Sequence, residues 1–274
     1  MNANWSYLLI LVLFSSVAFA VGPGQVQLIE PVTKVVSSGD IVDGGLIGPG
    51  QTLSVMVSTK VDTGGKYGEG GNWNNLKAES LPPGWQSTFS EYGPNLKINI
   101  KAPASAPEGK YRLVFSVNDE GDIQQIGGKV VFYVDIEVRD SVVDMSAYPR
   151  ELVVQPGSPA RFTVKIVNPS SASDVFTVEG KGITGWRFKK DVFVPARGYS
   201  TIYYELINND EETIPITLTA VSKSSSRIHD EQEVLLITKS NPLLDIMSTK
   251  YGLLLYPPAE FLLYSTIYFV SSFM

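Results

Sequence analysis

One pattern is written twice in this chain and limits what it can fold into. A Pro-Gly turn is followed by a stretch in which apolar and polar residues alternate: GPGQTLSVMVSTK at 48–60 and QPGSPARFTVKIVNP at 155–169. Alternation with a period of two places every second side chain on one face, which is typical of a half-buried β-strand. The repeat length of roughly 100 residues is that of an immunoglobulin-like domain.

Both copies continue in the same way. Each places a Gly-Trp pair, Gly84-Trp85 or Gly185-Trp186, before a further run of alternating strands, and no convincing amphipathic helix interrupts them. The sequence therefore predicts an all-β fold of two tandem immunoglobulin-like antiparallel β-sandwiches, at 26–139 and 143–239. We expect each tryptophan to cover one open end of its sandwich, because the preceding glycine allows a sharp turn.

These motifs also resemble a known family. The second copy carries Gln155-Pro156-Gly157, the mid-domain Gly185-Trp186 and the return turn Val194-Pro195-Ala196-Arg197-Gly198, and the first copy matches more loosely. The pattern is similar to the immunoglobulin-like accessory domain appended to α-galactosidases and other secreted glycosidases. Related tandem copies occur in membrane-anchored surface proteins of archaea and bacteria. The resemblance implies an accessory domain with no catalytic site.

The first twenty residues predict export. An apolar run at 7–14 is followed by small residues and by Ala18-Phe19-Ala20, an A-x-A cleavage pattern. We expect a signal peptide over 1–20, although no Lys or Arg precedes the apolar run. An uncleaved membrane anchor is the alternative.

The last residues, 251–274, form an apolar segment that is directed to a membrane. Pro257 and Pro258 with Glu260 resemble the start of a helix, and the residues that follow approach the length that spans a bilayer. Three interpretations stay open: a C-terminal anchor, an interfacial or partner-docking helix, and the beginning of a longer membrane region. We expect an exported, membrane-anchored protein at the cell surface whose contact with the membrane is this segment.

The composition excludes several functions. The chain has no Cys and a single histidine, His229, so no disulfide framework, thiolate metal site or three-histidine zinc site is expected. A net charge of −6 without basic clusters argues against nucleic acid as a partner. The run NDEGD at 118–122 is expected to be a β-turn rather than a calcium site. We predict no cofactor, no metal and no catalytic residue.

The candidate binding residues lie mostly in an insertion. Residues 61–77, VDTGGKYGEGGNWNNLK, carry five glycines around Tyr67, Asn72 and Trp73. Aromatic faces with neighbouring amides can stack on and hydrogen-bond to a sugar ring, and Tyr203 on a later strand is a further candidate. The alternative is a hairpin tip with Trp73 folded back onto the sandwich.

Two functions follow from this pattern. The first is a non-enzymatic envelope scaffold, adhesion or spacer protein that contacts another envelope protein. The second is a carbohydrate-binding accessory module that uses the loop aromatics on a surface glycan. The loop KSSSR at 223–227 is expected to be a solvated turn in either case.

Overall fold

The computed structural model describes residues 21–182 and 187–240, and these residues contain strands and turns but no helix. The prediction of an all-β chain is confirmed for these residues. The predicted signal peptide at 1–20, the apolar segment at 251–274 and Trp186 lie outside them.

Eleven strands build the first sandwich. In chain order they are β1 (Gln25–Glu30), β2 (Lys34–Ser37), β3 (Ile41–Ile47), β4 (Thr52–Ser58), β5 (Lys60–Val61), β6 (Gly71–Asn72), β7 (Asn75–Ser80), β8 (Gln86–Tyr92), β9 (Asn95–Lys101), β10 (Gly109–Asn118) and β11 (Val130–Val138). One sheet has the order β2-β1-β4-β9-β8 and the facing sheet β3-β11-β10-β7, while β5 and β6 pair by themselves. All pairs are antiparallel except β3 with β11.

Eight strands build the second sandwich. They are β12 (Asp144–Tyr148), β13 (Glu151–Val154), β14 (Pro159–Asn168), β15 (Asp174–Lys181), β16 (Phe188–Val194), β17 (Gly198–Ile207), β18 (Thr213–Ser222) and β19 (His229–Thr238). The sheets have the orders β12-β14-β17 and β13-β19-β18-β15-β16, with β13 parallel to β19. This order of strands is that of an immunoglobulin-like sandwich.

Each sandwich closes over its own apolar core, as the alternating strands require. Phe115 stacks on Phe132 at the centre of the first core, and Phe162 packs beside Tyr204 in the second. Trp85 is buried at the edge of the first core, with its ring centre 5.5 Å from that of Tyr111. This position agrees with the prediction that it covers an end of the sandwich.

One strand differs between the sandwiches. β8 pairs with β9 over seven residues. Its counterpart β16 does not pair with β17, the equivalent of β9, but pairs over seven residues with β15 of the facing sheet. The outer edge of β9 is therefore covered by a neighbouring strand, and the corresponding edge of β17 is not covered by any strand of the described residues.

Candidate functional site

Each sandwich gathers three loops at one end. In the first sandwich they are 59–74, 93–94 and 119–129, which we call the distal loops; in the second they are 169–173, 195–197 and 223–228, which we call the junction loops. The two sets are equivalent, because each loop of one set connects the same pair of strands in its sandwich as the corresponding loop of the other set. The junction loops contact the opposite end of the first sandwich, and because β10 alone spans about 33 Å at roughly 3.3 Å per residue, the distal loops lie far from this junction.

A buried carboxylate holds the centre of the junction. Asp174, at the first position of β15, is 5% exposed, and its two oxygens accept hydrogen bonds from Ser222 Oγ at 2.6 Å and Ser224 Oγ at 2.8 Å. Gln51 of the first sandwich donates its Nε2 to the same carboxylate at 2.8 Å. A buried charge is stabilised when several donors satisfy it, and here one of those donors belongs to the other sandwich.

Backbone carbonyls of the first sandwich accept further bonds. The amide of Ser171 donates to Leu46 O at 2.6 Å. Arg197 donates to Pro31 O at 3.2 Å and to Ser171 Oγ at 2.9 Å. Arg227 donates to Ala106 O at 3.0 Å and forms an ion pair with Asp140 at 2.8 Å. Each of the three junction loops therefore donates at least one hydrogen bond to the first sandwich, and together these bonds fix the orientation of the second sandwich better than a single contact would.

The two backbones also approach closely because glycine stands at the contact. A Cβ added to Gly50 would collide with the carbonyl oxygen of Ser224, and Gly50 has a φ of 74° in the region that favours glycine. Ala172 of the second sandwich joins the first apolar core, while Leu46 of the first packs against the second core. The junction therefore combines polar bonds with interleaved apolar contacts.

This finding corrects one expectation. The loop at 223–227 was expected to be a solvated turn, and Lys223, Ser226 and Arg227 are exposed in it. Ser222, just before it, and Ser225 within it are instead buried, and Ser225 Oγ donates to Ala104 O of the first sandwich at 3.3 Å. Small hydroxyl side chains permit the close approach and supply the donors that the neighbouring carbonyls need.

The distal loops are tied to one another rather than to a neighbour. Lys66 N donates to Gln124 O at 2.9 Å, and Asn72 N donates to the side chain of Gln124 at 2.6 Å. Asn74 bonds to Asp119 at 3.0 Å, and Thr59 Oγ1 donates to the carbonyl of Pro94 at 2.7 Å. The sixteen residues of 59–74 are thereby held by both other loops, so their tips are positioned by a scaffold.

The beginning of the described chain supports the same loops. Val21 N donates to Asp62 Oδ2 at 2.9 Å, and Asp62 N donates back to Val21 O at 2.8 Å. Lys60 lies 2.6 Å from the other oxygen of this carboxylate. The Lys60 ammonium, assisted by the Val21 amide, holds the pKa of Asp62 below its ordinary value, so the carboxylate stays ionised and keeps these bonds in mildly acidic solution.

The predicted ligand-stacking role of Trp73 is wrong. Trp73 is only 1% exposed, belongs to the first apolar core, and donates its indole N–H to Gln25 O at 3.2 Å. A side chain with so little exposed surface cannot receive a sugar ring on its face. An indole that finds both apolar surroundings and a carbonyl acceptor is stabilised by burial, and this outcome is the hairpin alternative that the sequence left open.

The other three candidate residues are exposed, but the structure does not bring them together. Tyr67 is 81% exposed at the tip of the distal loops, beside Lys66, and Asn72 is exposed in β6. Tyr203 lies on β17 of the second sandwich, with the Arg161 guanidinium 3.6 Å from its ring centre. A ligand-binding role for these residues stays a prediction.

Sequence reasoning missed Ile123. It is 70% exposed in loop 119–129, the same loop whose Gln124 binds residues 66 and 72. Ile123 and Tyr67 each adjoin a residue of the Lys66–Gln124 hydrogen bond, so both exposed side chains extend from loops that are joined at this point. The sequence signal for it is an apolar residue directly after the polar turn NDEGD at 118–122.

The acidic turn at 118–122 bonds to the neighbouring loops and borders a groove. Asp119 is engaged by Asn74 and by the backbone of Gln124, and across the described ranges no three His, Cys, Asp or Glu side chains gather as metal ligands. A groove of about 740 Å³ beside this turn includes Glu79. Lys129, together with Ser116, holds the pKa of Glu79 below its ordinary value, so this carboxylate stays ionised near neutral pH.

Comparison with known proteins adds little. No protein-family model and no curated protein matches the chain. Solved structures that resemble it include the I9–I11 tandem of titin, at 10% identity and a TM-score of 0.32, covering 75% of this chain and 65% of that one. The D00–D0 domain of intimin has 13% identity and a TM-score of 0.26, covering 77% of this chain and 99% of that one. WR4, an MSP family member of C. elegans, has 16% identity and a TM-score of 0.26 over 36% of this chain and 99% of that one.

Likenesses at these TM-scores carry no argument about function, and the assignment of the fold rests on the order of the strands. The resemblance to the accessory domain of α-galactosidases stays a prediction. In the part of the chain that is described, no helix has the length and apolar character needed to cross a bilayer.

Proposed function

We propose that this protein is a non-enzymatic surface module that holds the distal loops away from a membrane and presents them to an envelope protein. The observation that carries the proposal is the different fate of two equivalent sets of loops. The junction loops form hydrogen bonds that hold one sandwich against the other. The distal loops are held by hydrogen bonds to one another, and they leave Tyr67 and Ile123 exposed to solvent.

The distal loops have the properties of a recognition surface. Protein interfaces are enriched in aromatic anchors, and affinity improves when the loops that carry them are ordered before binding. Tyr67 and Ile123 supply exposed apolar area, and Gln124 joins the loops that carry them. A fixed junction serves the same purpose, because it sets the position of these loops relative to the rest of the chain.

Export and membrane attachment complete the proposal. They are supported by the A-x-A pattern that ends at Ala20 and by the apolar segment at 251–274. If both act as proposed, the second sandwich is the membrane-proximal spacer and the first is the exposed tip.

The test is binding of the full chain to isolated native envelopes, measured as the fraction that sediments with them. The variant Tyr67→Ala combined with Ile123→Ala is expected to lower binding at least about tenfold, which is the usual loss for central anchors. Tyr148→Ala is the matched control: Tyr148 is 76% exposed but lies on β12 of the second sandwich. Equal loss for both variants, or no loss for either, would contradict the proposal.

The alternative is carbohydrate binding through Tyr67, Asn72 and Tyr203. It loses its largest aromatic platform with the burial of Trp73, but Tyr67 and Asn72 are both exposed in the same loop, which keeps it testable. The same envelopes are treated either with protease or with glycan-removing enzymes. Loss of binding after protease alone supports the protein partner, and loss after glycan removal alone supports the carbohydrate.

A further inference from the structure

The second sandwich carries an open strand edge where the first does not. β17 pairs with β14 along all ten of its residues without a register shift, and within the described ranges nothing pairs with its other side. In the first sandwich the equivalent edge, that of β9, is covered by β8. The difference follows from β16, which pairs with β15 instead.

The open edge has few of the features that protect edge strands. Natural edges are usually short, bulged, or marked by Pro and Lys, which prevent pairing with another chain. The strand reads GYSTIYYELI over Gly198–Ile207, with no Pro, no Lys and one acidic residue, Glu205. Its exposed positions include Tyr199, Tyr203 and Ile207, which are residues that favour strands.

Charges of both signs lie along this edge. Glu205 stands opposite Arg161 in the register of β14 with β17, and Lys165 stands opposite Thr201. The Arg161 guanidinium lies over the Tyr203 ring and the Lys165 ammonium over the Tyr199 ring. An approaching strand therefore meets no large excess of one charge. Ser200 Oγ donates to Phe193 O of β16 at 2.6 Å, so the beginning of β17 is partly covered by β16. The open part of the edge runs from Thr201 to Ile207.

We infer that β17 pairs with β17 of a second copy of this chain, antiparallel and centred on Tyr203, so that two three-stranded sheets become one of six strands. A two-fold axis at Tyr203 places Tyr203 against itself and Thr201 against Glu205, both within the open part of the edge. Aromatic pairs stabilise antiparallel strands, and the contact is closed and self-complementary. Centring on Glu205 instead would place two carboxylates opposite each other.

The absence of cysteine from the chain gives a direct test. In the full chain, Tyr203→Cys puts one thiol on the proposed axis, where it meets its own copy at a Cα separation suited to a disulfide. Tyr148→Cys is the control, because Tyr148 is more exposed than Tyr203, at 76% against 52%, but lies on β12 at the other edge of the same sheet. Under mild oxidation, dimer is expected to form about tenfold faster with Tyr203→Cys than with Tyr148→Cys.

A second pair of variants keeps the test decisive if Tyr203→Cys does not fold. Chains carrying Thr201→Cys and chains carrying Glu205→Cys are expected to crosslink when mixed and not when alone, because these positions face each other across the axis. The unsubstituted chain is expected to sediment as a dimer at the same concentration. A monomer, or crosslinking of Tyr203→Cys no faster than of Tyr148→Cys together with no product from the mixture, would overturn the inference.

Discussion

The two sandwiches place equivalent loops at equivalent ends, but they use them differently. The loop 169–173 that leads into β15 has five residues and is packed against the first sandwich, whereas its counterpart 59–74, which leads into β7, has sixteen and ends in solvent at Tyr67. The junction loops are short, serine-rich and bonded to carbonyls of their neighbour. The distal loops are glycine-rich, bonded to one another, and tipped with exposed apolar side chains.

The difference shows that one loop position can either join two sandwiches or leave its tip exposed, which is the state we propose for recognition. Short polar loops let two backbones meet, because each carbonyl at the contact finds a hydroxyl, amide or guanidinium donor. A long loop that is anchored at its base by Trp73 and by Gln124 keeps its tip accessible without losing order. The account therefore predicts that substitutions at the base of the distal loops, at their tip and in the junction have separable effects.

The largest effect is expected at the base of the distal loops. Trp73→Ala removes a fully buried indole and its bond to Gln25, and should lower the free energy of unfolding by about 4 kcal/mol. Tyr67→Ala, a few residues away at the exposed tip, should change it by less than about 0.5 kcal/mol. Denaturant unfolding of the full chain measures both, and a Trp73→Ala protein as stable as the unsubstituted chain would contradict the role of this indole in the first core.

The next prediction compares the loss of stability when the first residue of two equivalent strands, β15 and β7, is replaced. Asp174→Ala leaves donors from Gln51, Ser222 and Ser224 without their acceptor, so we expect a loss of about 3 kcal/mol. Asn75, the buried first residue of β7, donates only to Glu120 of its own sandwich, at 3.3 Å, and Asn75→Ala should lose about 1 kcal/mol. Equal losses would show that the junction adds nothing to the stability of the strand start.

A third comparison uses the two Pro-Gly turns. Gly50 and Gly157 have φ values of 74° and 77°, so Ala at either position is strained by about 1 kcal/mol. At Gly157 the new Cβ would meet only Asn209 Oδ1 at 3.6 Å, but at Gly50 it would meet the backbone of Ser224 in the other sandwich. Gly50→Ala should therefore cost about 2 kcal/mol more than Gly157→Ala and should split thermal unfolding into two transitions. A single transition with matched losses would argue against a close junction.

The last prediction concerns a change in stability at alkaline pH, which leaves stability at neutral pH almost unchanged. It arises from a tyrosine in the second core. Burial raises the pKa of Tyr204 to about 12, while the two rings at the centre of the first core, Phe115 and Phe132, do not titrate. Below pH 10 the tyrosine is protonated in both the folded and the unfolded chain. Between about pH 10 and 12 only the unfolded chain ionises it, so stability should fall by roughly 2 kcal/mol over this range.

Tyr204→Phe removes this titration and serves as the control. Its unfolding free energy should decline less between pH 10 and 12 than that of the unsubstituted chain, although its stability at neutral pH changes little. The same decline in both proteins would assign the alkaline sensitivity to other groups.

The sequence predicted the buried faces of the strands well, but it did not predict which sheet β16 joins or which contacts the loops between strands make. Period-two alternation placed the buried faces of β4, β9 and β14, because one solvated face requires it. The move of β16 to the opposite sheet was not predictable, since Phe188–Val194 can alternate equally well beside either neighbour. Serine in the loop 223–227 suits water or a carbonyl of another domain, and only the tertiary contact decides between them.

The candidate site shows the same division. A glycine-rich insertion with aromatic residues pointed to the loop at 61–77 as a candidate site, but composition could not show that Tyr67 is exposed and Trp73 buried. Their fates depend on the carbonyl of Gln25 and on the space in the first core, and both are set by strands distant in the sequence.

The central claim is that the junction fixes the two sandwiches relative to each other. Because the chain lacks cysteine, Thr88→Cys on β8 and Lys190→Cys on β16 introduce two exposed spin-label sites, one on each sandwich. Labelled chains diluted with an excess of unlabelled chains report the distance within one molecule by pulsed electron-electron resonance. The account predicts one narrow distance distribution that Gly50→Ala broadens and Gly157→Ala does not, and a broad distribution in the protein without either glycine substitution would contradict it.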